Sequence, residues 1–270
     1  MNILKTIISY FLFLLYKRFN NIKHKPNIKR PHPSSFKKEI YDAIKKNGFY
    51  VFDNYLDELQ CSQLIKDINK AFKDYSFYVQ KRSDKRLFGI ENTSKLSHNF
   101  YADNLFEEIA NLINGENTYC AFTLAGKLGG VKGGSSGGDW HRDAFFRQFK
   151  SMIYLSEVND QNGAFEILPE SHRLLDLISQ IKSANLKYNQ YRLSENQVKK
   201  IENQTGKKRK TIFGKAGTVI LFNSSTIHRG SPIIDGERYS LTNYYFPRRR
   251  SLENLQEQFF PVLKKDKVFK

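Results

Sequence analysis

At 270 residues, with 40% hydrophobic side chains including 22 Phe and 15 Tyr, the chain is long enough to bury a sizeable aromatic core as one domain. Its two cysteines, Cys61 and Cys120, lie in separate apolar stretches, which favours reduced core thiols over a disulfide or cysteine–metal framework. A formal charge of +17 attracts polyanions in general. Without a recognition fold or aromatic–basic interleaving, however, no specific nucleic-acid partner is expected.

From the N-terminus, Ile3 to Tyr16 is largely apolar. As a helix these residues reach about 21 Å, short of the ~30 Å hydrocarbon core of a bilayer. No small-x-small cleavage site follows; Lys17 and Arg18 come instead. Residues 1–19 are therefore expected to associate with a membrane, lying in or dipping into an anionic surface at the cytoplasmic side. The alternative is an amphipathic helix packed on the domain's own surface. Residues 20–35, with Lys23, Lys25, Lys29, Arg30 and three prolines, predict a basic linker.

Phe36, Ile40, Tyr41 and Ile44 recur at helical spacing and stop at Asn47-Gly48, predicting a helix followed by a strand over 49–52. Leu56 to Phe72 and Asn104 to Ile113 predict two more helices. From about Tyr119 to residue 246 short strands and turns take over, which predicts a mainly β domain with flanking helices. Residues 36–250 form the expected domain, with an insert at 173–210, and 251–270 a basic C-terminal tail.

Within the β region lies His141-Arg142-Asp143. On an extended strand His141 and Asp143 share a face and Arg142 takes the other. The apolar strand Gly217–Asn223 leads to a turn and His228, which can supply a third ligand. Two imidazoles and a carboxylate on one face of an octahedral metal leave three positions for a bidentate 2-oxo acid and dioxygen. In the next strand Arg238 and Ser240 share a face and suit a carboxylate, the guanidinium by its fork and the hydroxyl by one further bond.

These stretches resemble the phytanoyl-CoA dioxygenase family of Fe(II)/2-oxoglutarate oxygenases. The resemblance rests on Trp140–Asp143, Met152–Val158, Asn162–His172, Gly217-Thr218, Asn223, His228–Ser231 and Arg238–Ser240. Asn47–Leu56 resembles the family's usual entry, so the likeness runs from about residue 36 to 250. It implies a double-stranded β-helix (jelly-roll, cupin-like) core. It implies His141, Asp143 and His228 as ligands of Fe(II), Arg238 as partner of the distal carboxylate of 2-oxoglutarate with Ser240 beside it, and O2 as oxidant. Halogenating relatives replace the carboxylate ligand with a small residue, so Asp143 implies hydroxylation. Where the family commonly has Pro-Gly-Ser-His this chain has Pro169-Glu170-Ser171-His172, which predicts a different turn, because Glu tolerates positive φ poorly.

Gly126–Gly138 lacks the spacing and following helix of a phosphate-binding loop, leaving a mobile lid or a plain surface loop. The insert at 173–210 is expected to cover the substrate entrance. Together these features predict an Fe(II)- and 2-oxoglutarate-dependent dioxygenase hydroxylating an aliphatic C–H bond of a small-molecule or lipid-linked, anionic substrate. The rival is a non-catalytic membrane-surface binding protein on the same scaffold.

Overall fold

The computed structural model describes the chain except at residues 25, 27, 29, 30, 33, 82, 83, 130–138 and 260–270. In chain order the elements are α1 (Asn2–His24), α2 (Phe36–Asn47), β1 (Phe49–Phe52), α3 (Glu58–Asp74), β2 (Gln80–Lys81) and β3 (Asp84–Phe88). Then follow α4 (Lys95–Tyr101), α5 (Asn104–Asn114), β4 (Thr118–Gly129), β5 (Phe149–Tyr154), β6 (Phe165–Ile167), α6 (Leu174–Ala184) and α7 (Glu195–Thr205). The last are β7 (Lys210–Ile212), β8 (Val219–Asn223), β9 (His228–Gly230), β10 (Glu237–Pro247) and α8 (Leu252–Phe259).

Two antiparallel sheets face each other in a jelly roll. The larger has the strand order β1-β8-β5-β10-β4-β3-β2 and the smaller β7-β6-β9. Period-2 alternation assigns each strand two jobs. Ile153 of β5, Val219 and Leu221 of β8 and Leu241 of β10 point outward, into a core shared with Ile40, Ile44, Leu64, Ile68, Phe106 and Ile109 of the flanking helices. Met152, Tyr154, Ile220 and Phe222 point inward and meet Phe165, Ile167 and Ile212 of the small sheet. Tyr154 ties the sheets together, its hydroxyl donating to Ile212 O (3.0 Å) and accepting from Phe165 N–H (2.9 Å). Cys61 and Cys120 are both buried and free.

The expected helix over 36–47 forms, capped by the Ser35 side chain and ended by Gly48 at φ 96°. That glycine is required twice over. A Cβ there would lie 2.4 Å from Thr226 Oγ1, and a left-handed φ is unfavourable for other residues. The turn at Glu170 corrects the expectation from sequence: it does not escape the left-handed region, for Glu170 sits at φ 65°. Its N–H donates to Asn47 O (2.7 Å), and its carboxylate pairs with Lys207 (2.9 Å) and Arg173. Those contacts offset a conformational cost of about 1–2 kcal/mol.

α1 extends past residue 19 to His24 and lies against the domain. Tyr10 and Phe13 meet Phe146, with ring centroids 5.6 and 4.8 Å apart. Thr6 is buried, Lys17 pairs with Glu116, and Asn21 donates to Gly115 O (3.0 Å). Among the described residues no helix is long and apolar enough to cross a membrane. At the other end α8 docks through the fully buried Leu255. The tail lysines 264, 265, 267 and 270 lie outside the described residues, as does 130–138 of the expected glycine lid; Gly126 to Gly129 are the end of β4.

The basic run at 207–210 is less available to polyanions than its composition suggests. Lys207 pairs with Glu170 and Asp176, and Arg209 with Glu195 and Glu202 (2.7 and 2.6 Å).

Glu91 carries a testable cost. It is buried behind β4, accepting from Thr123 N–H at 2.9 Å, and burial pushes its carboxyl up to about 7 despite that bond. The folded value lies above the unfolded one, so the neutral form is favoured on folding. The associated stability is complete below about pH 4 and is lost as pH rises through 7. Glu91→Gln is expected to stabilise the protein by about 2 kcal/mol at pH 8 and hardly at all at pH 4, read by urea unfolding at both values.

Candidate metal centre

The site begins with backbone pairing. His141 N–H donates to His228 O (2.9 Å) and His228 N–H returns the bond to His141 O (2.8 Å). This isolated antiparallel bridge adds the His141 segment to the edge of the small sheet, next to β9. It brings the two imidazoles to 4.5 Å between centroids. Two residues on, Asp143 shares the His141 face as period 2 requires, and its N–H is fixed to Ser224 O (2.9 Å).

Side-chain bonds set each ring. Nδ1 of His141 lies 2.8 Å from Asp139 O, and Nδ1 of His228 lies 2.8 Å from Thr226 O. With Nδ1 as the donor in each, both Nε2 atoms present lone pairs to the same point. They stand 3.6 and 3.4 Å from the two Asp143 oxygens, and all three ligand atoms lie within 4.8 Å of one another. Cis ligands about 2.1 Å from one ion are about 3 Å apart, so the trio needs only a small contraction to grip a metal.

The protonation states agree. Burial, helped by His228 and opposed by Asp143, lowers His141 to about 4. Burial works against charge on Asp143, yet Lys150 and the two imidazoles override it and hold the carboxyl well below its usual range. A neutral imidazole and an ionised carboxylate are what a divalent cation requires.

Arg142 points the other way, as alternation predicts. It is buried, gives Nη2 to Gln180 Oε1 (2.7 Å), and burial lowers it to about 10. Trp140 anchors the strand from behind. It is fully buried between the guanidinium groups of Arg229 and Arg209 (4.5 and 5.0 Å from its ring) and donates Nε1–H to Glu195 (2.8 Å). α6 and α7 of the insert at 173–210 pack around this indole.

Arg238 lines the same cavity as the triad, a space of ≈ 160 Å³. It is 3% exposed, Nη1 donates to Gly163 O, and its buried Nε has no hydrogen-bond partner. A buried guanidinium nitrogen without an acceptor fits a carboxylate arriving from the cavity. Ser240 is buried on the same face of β10, its hydroxyl close against Gly126; Thr242 and Tyr244 continue that face and line the cavity.

Three cations that the sequence reading missed also line it: Arg86, Lys150 and Arg192. Lys150 is buried in β5, donates Nζ to Asp143 Oδ2 at 2.8 Å and sits 3.8 Å from the centroid of the Tyr244 ring. Burial pulls its pKa down, but Asp143 and Tyr244 outweigh that and leave it raised. A lysine as the one charge in the buried Phe149–Tyr154 strand was the legible signal, because a charge there must face a partner. Arg86 pairs with Asp84 (2.8 Å), and Arg192 comes from the segment of the insert that bridges His141.

With that geometry in view, comparison with known proteins settles the family. The phytanoyl-CoA dioxygenase (PhyH) family model matches residues 44–234. The chain belongs to that family. Its members are Fe(II)- and 2-oxoglutarate-dependent oxygenases that consume O2, and the donor set here fits both the metal and the oxo acid. No curated protein matches by sequence. Among solved structures, EctD of S. alaskensis in its apo form is 19% identical with a TM-score of 0.62, over 82% of this chain and 81% of that one. The 2-oxoglutarate-dependent epimerase SnoN from nogalamycin biosynthesis is 13% identical with a TM-score of 0.56, over 78% and 82%. HygX of Streptomyces hygroscopicus, crystallised with nickel, 2-oxoglutarate and hygromycin B, is 13% identical with a TM-score of 0.54, over 78% and 87%. At these identities the likeness is one of fold.

The Lys150–Asp143 pair sets a stability expectation for the metal-free oxygenase. The depressed folded value of Asp143 contributes stability present above pH 4 and lost as pH falls below it. Lys150→Met removes the paired cation and is expected to cost about 2 kcal/mol at pH 7 without metal. Co(II) with 2-oxoglutarate under nitrogen should recover part of that loss in thermal melts.

Proposed function

We propose that this oxygenase hydroxylates an aliphatic C–H bond of an anionic substrate carried on, or released from, a lipid, and that it works at a membrane surface. The observation that carries the reading is the composition of one cavity: a three-ligand metal face together with four cationic side chains, Arg86, Lys150, Arg192 and Arg238. Arg238 is assigned to the distal carboxylate of 2-oxoglutarate, with Ser240 beside it. Arg86, paired with Asp84, and Arg192 line the same cavity and make it favourable to a negative charge on the substrate.

His141 and His228 would bind Fe(II) through Nε2, each oriented by the carbonyl that holds Nδ1. Asp143 would supply one oxygen while Lys150 holds the other and limits rotation of the carboxylate. When bound, Fe(II) couples O2-dependent decarboxylation of 2-oxoglutarate to succinate and CO2 with transfer of the second oxygen atom to a C–H bond of the substrate. The protein side of that reaction is positional. Phe165, Phe222 and Met152 wall the cavity and exclude water, and the cations fix where the substrate's charge rests. Asp143 fills the position that a halide would need, which supports oxygen transfer over halogenation.

His141→Ala and Asp143→Ala are each expected to reduce Fe-dependent succinate release to the enzyme-free level. Wild-type turnover by either would refute the ligand assignment. Arg238→Ala is expected to raise the KM for 2-oxoglutarate by about 10- to 100-fold with a smaller effect on kcat, through loss of a charge-assisted bond. Anaerobic addition of Fe(II) and 2-oxoglutarate separates the enzyme from a bare scaffold, since only a chelating site gives the visible charge-transfer band.

A further inference from the structure

α1 is packed on one side only. Thr6, Tyr10, Phe13 and Lys17 face the domain, whereas Leu4, Ile8, Phe11, Leu15, Phe19 and Ile22 are between 49% and 70% exposed. These six recur at intervals of three and four, so on a 3.6-residue helix they form one continuous apolar stripe directed away from the domain. An exposed apolar surface of that length marks an interaction site.

The charges beside the stripe identify what covers it. At about 100° per residue Arg18 falls along one edge, and Lys5 and Lys23 along the other. All three are exposed, and the helix contains no carboxylate. Cations flanking both sides of an apolar stripe match the headgroup level of an anionic bilayer, with the long side chains reaching up to phosphate while the stripe sinks among acyl chains. A second copy of the same stripe would instead bring like charges together along both edges.

We infer that α1 seats the oxygenase flat on an anionic bilayer, as a rigid interfacial anchor rather than a tethered one. The rigidity follows from its bonds to the domain: Lys17 to Glu116 and to Asn114 O (2.9 Å), and Asn21 to Gly115 O. Two further contacts bind the helix to the insert, Asn2 to Leu186 O (3.2 Å) and Ser9 to the Tyr188 hydroxyl. That same segment continues to Tyr191, whose carbonyl accepts from Arg142 N–H, and to Arg192, which bridges His141 and lines the iron cavity. The seat and the metal centre are therefore one loop apart. This names the partner surface in the proposed function and rests on that reading for its purpose, but not for its test.

The test is sedimentation of the full chain with vesicles of phosphatidylglycerol and phosphatidylcholine, beside vesicles of phosphatidylcholine alone. Binding is expected to the anionic vesicles and to fall at least about tenfold on the neutral ones. Phe11→Ser/Leu15→Ser/Phe19→Ser should lower anionic-vesicle binding by about a hundredfold or more while leaving the melting temperature and the Fe(II)–2-oxoglutarate band unchanged. Lys5→Gln/Arg18→Gln/Lys23→Gln should erase most of the preference for anionic lipid. Wild-type protein left in the supernatant, or stripe variants that still sediment, would overturn the inference. So would a stripe variant that turns a dimer into a monomer in size-exclusion chromatography with vesicle binding intact. A missing charge-transfer band with normal vesicle binding would instead sink the oxygenase reading alone.

Discussion

Two reciprocal backbone hydrogen bonds, between His141 and His228, govern the rest of this structure. They join segments far apart in sequence at the edge of the small sheet, and the side-chain geometry follows from strand alternation. Once the pair is registered, Asp143 must fall on the same face as His141, and Arg142 must be driven into the protein. A one-residue slip would exchange the Asp143 carboxylate for a guanidinium. The surrounding structure opposes such a slip: Trp140 is clamped between two arginines, Asp143 N–H is held by Ser224, and Leu193 N–H bonds Trp140 O.

Around that register the chain places several buried or half-buried charges. Several of these ions are matched at short range: Lys150 with Asp143, Arg229 with Glu166, Arg209 with Glu202. Such pairs contribute little net stability compared with apolar packing, but they fix positions, and removing one partner strands the other. In the cavity the arrangement leaves Arg238 Nε buried and without an acceptor. The fold thus carries a local cost at the place where a co-substrate carboxylate would relieve it.

Much of this was legible in the sequence because it depends on local periodicity. The helix ending at Gly48, the strand after it, the helix from Asn104 and the His-x-Asp face could all be read from spacing. Tertiary context hid the rest. Glu170 adopts the left-handed turn because Lys207, 37 positions away, and Arg173 meet its carboxylate, and only the first of these is remote in sequence. Lys150 meets its partner only because β5 turns it toward Asp143, which is seven residues away across a bend. Arg192 reached the cavity through a bridge that no periodicity announces. For the N-terminal segment the sequence left membrane association and packing on the domain as alternatives, without showing that packing would use only one face.

Trp140 is the only tryptophan in the chain. It directly precedes the proposed ligand His141, is sealed from solvent, and meets two guanidinium groups that share the insert's Glu195 as counter-ion. Its ultraviolet emission therefore originates at one place, and any rearrangement of α6 and α7 against the small sheet must shift the field around that indole. The molecule carries an intrinsic optical probe of the segment that presents His141 and Asp143, free of background from any other indole.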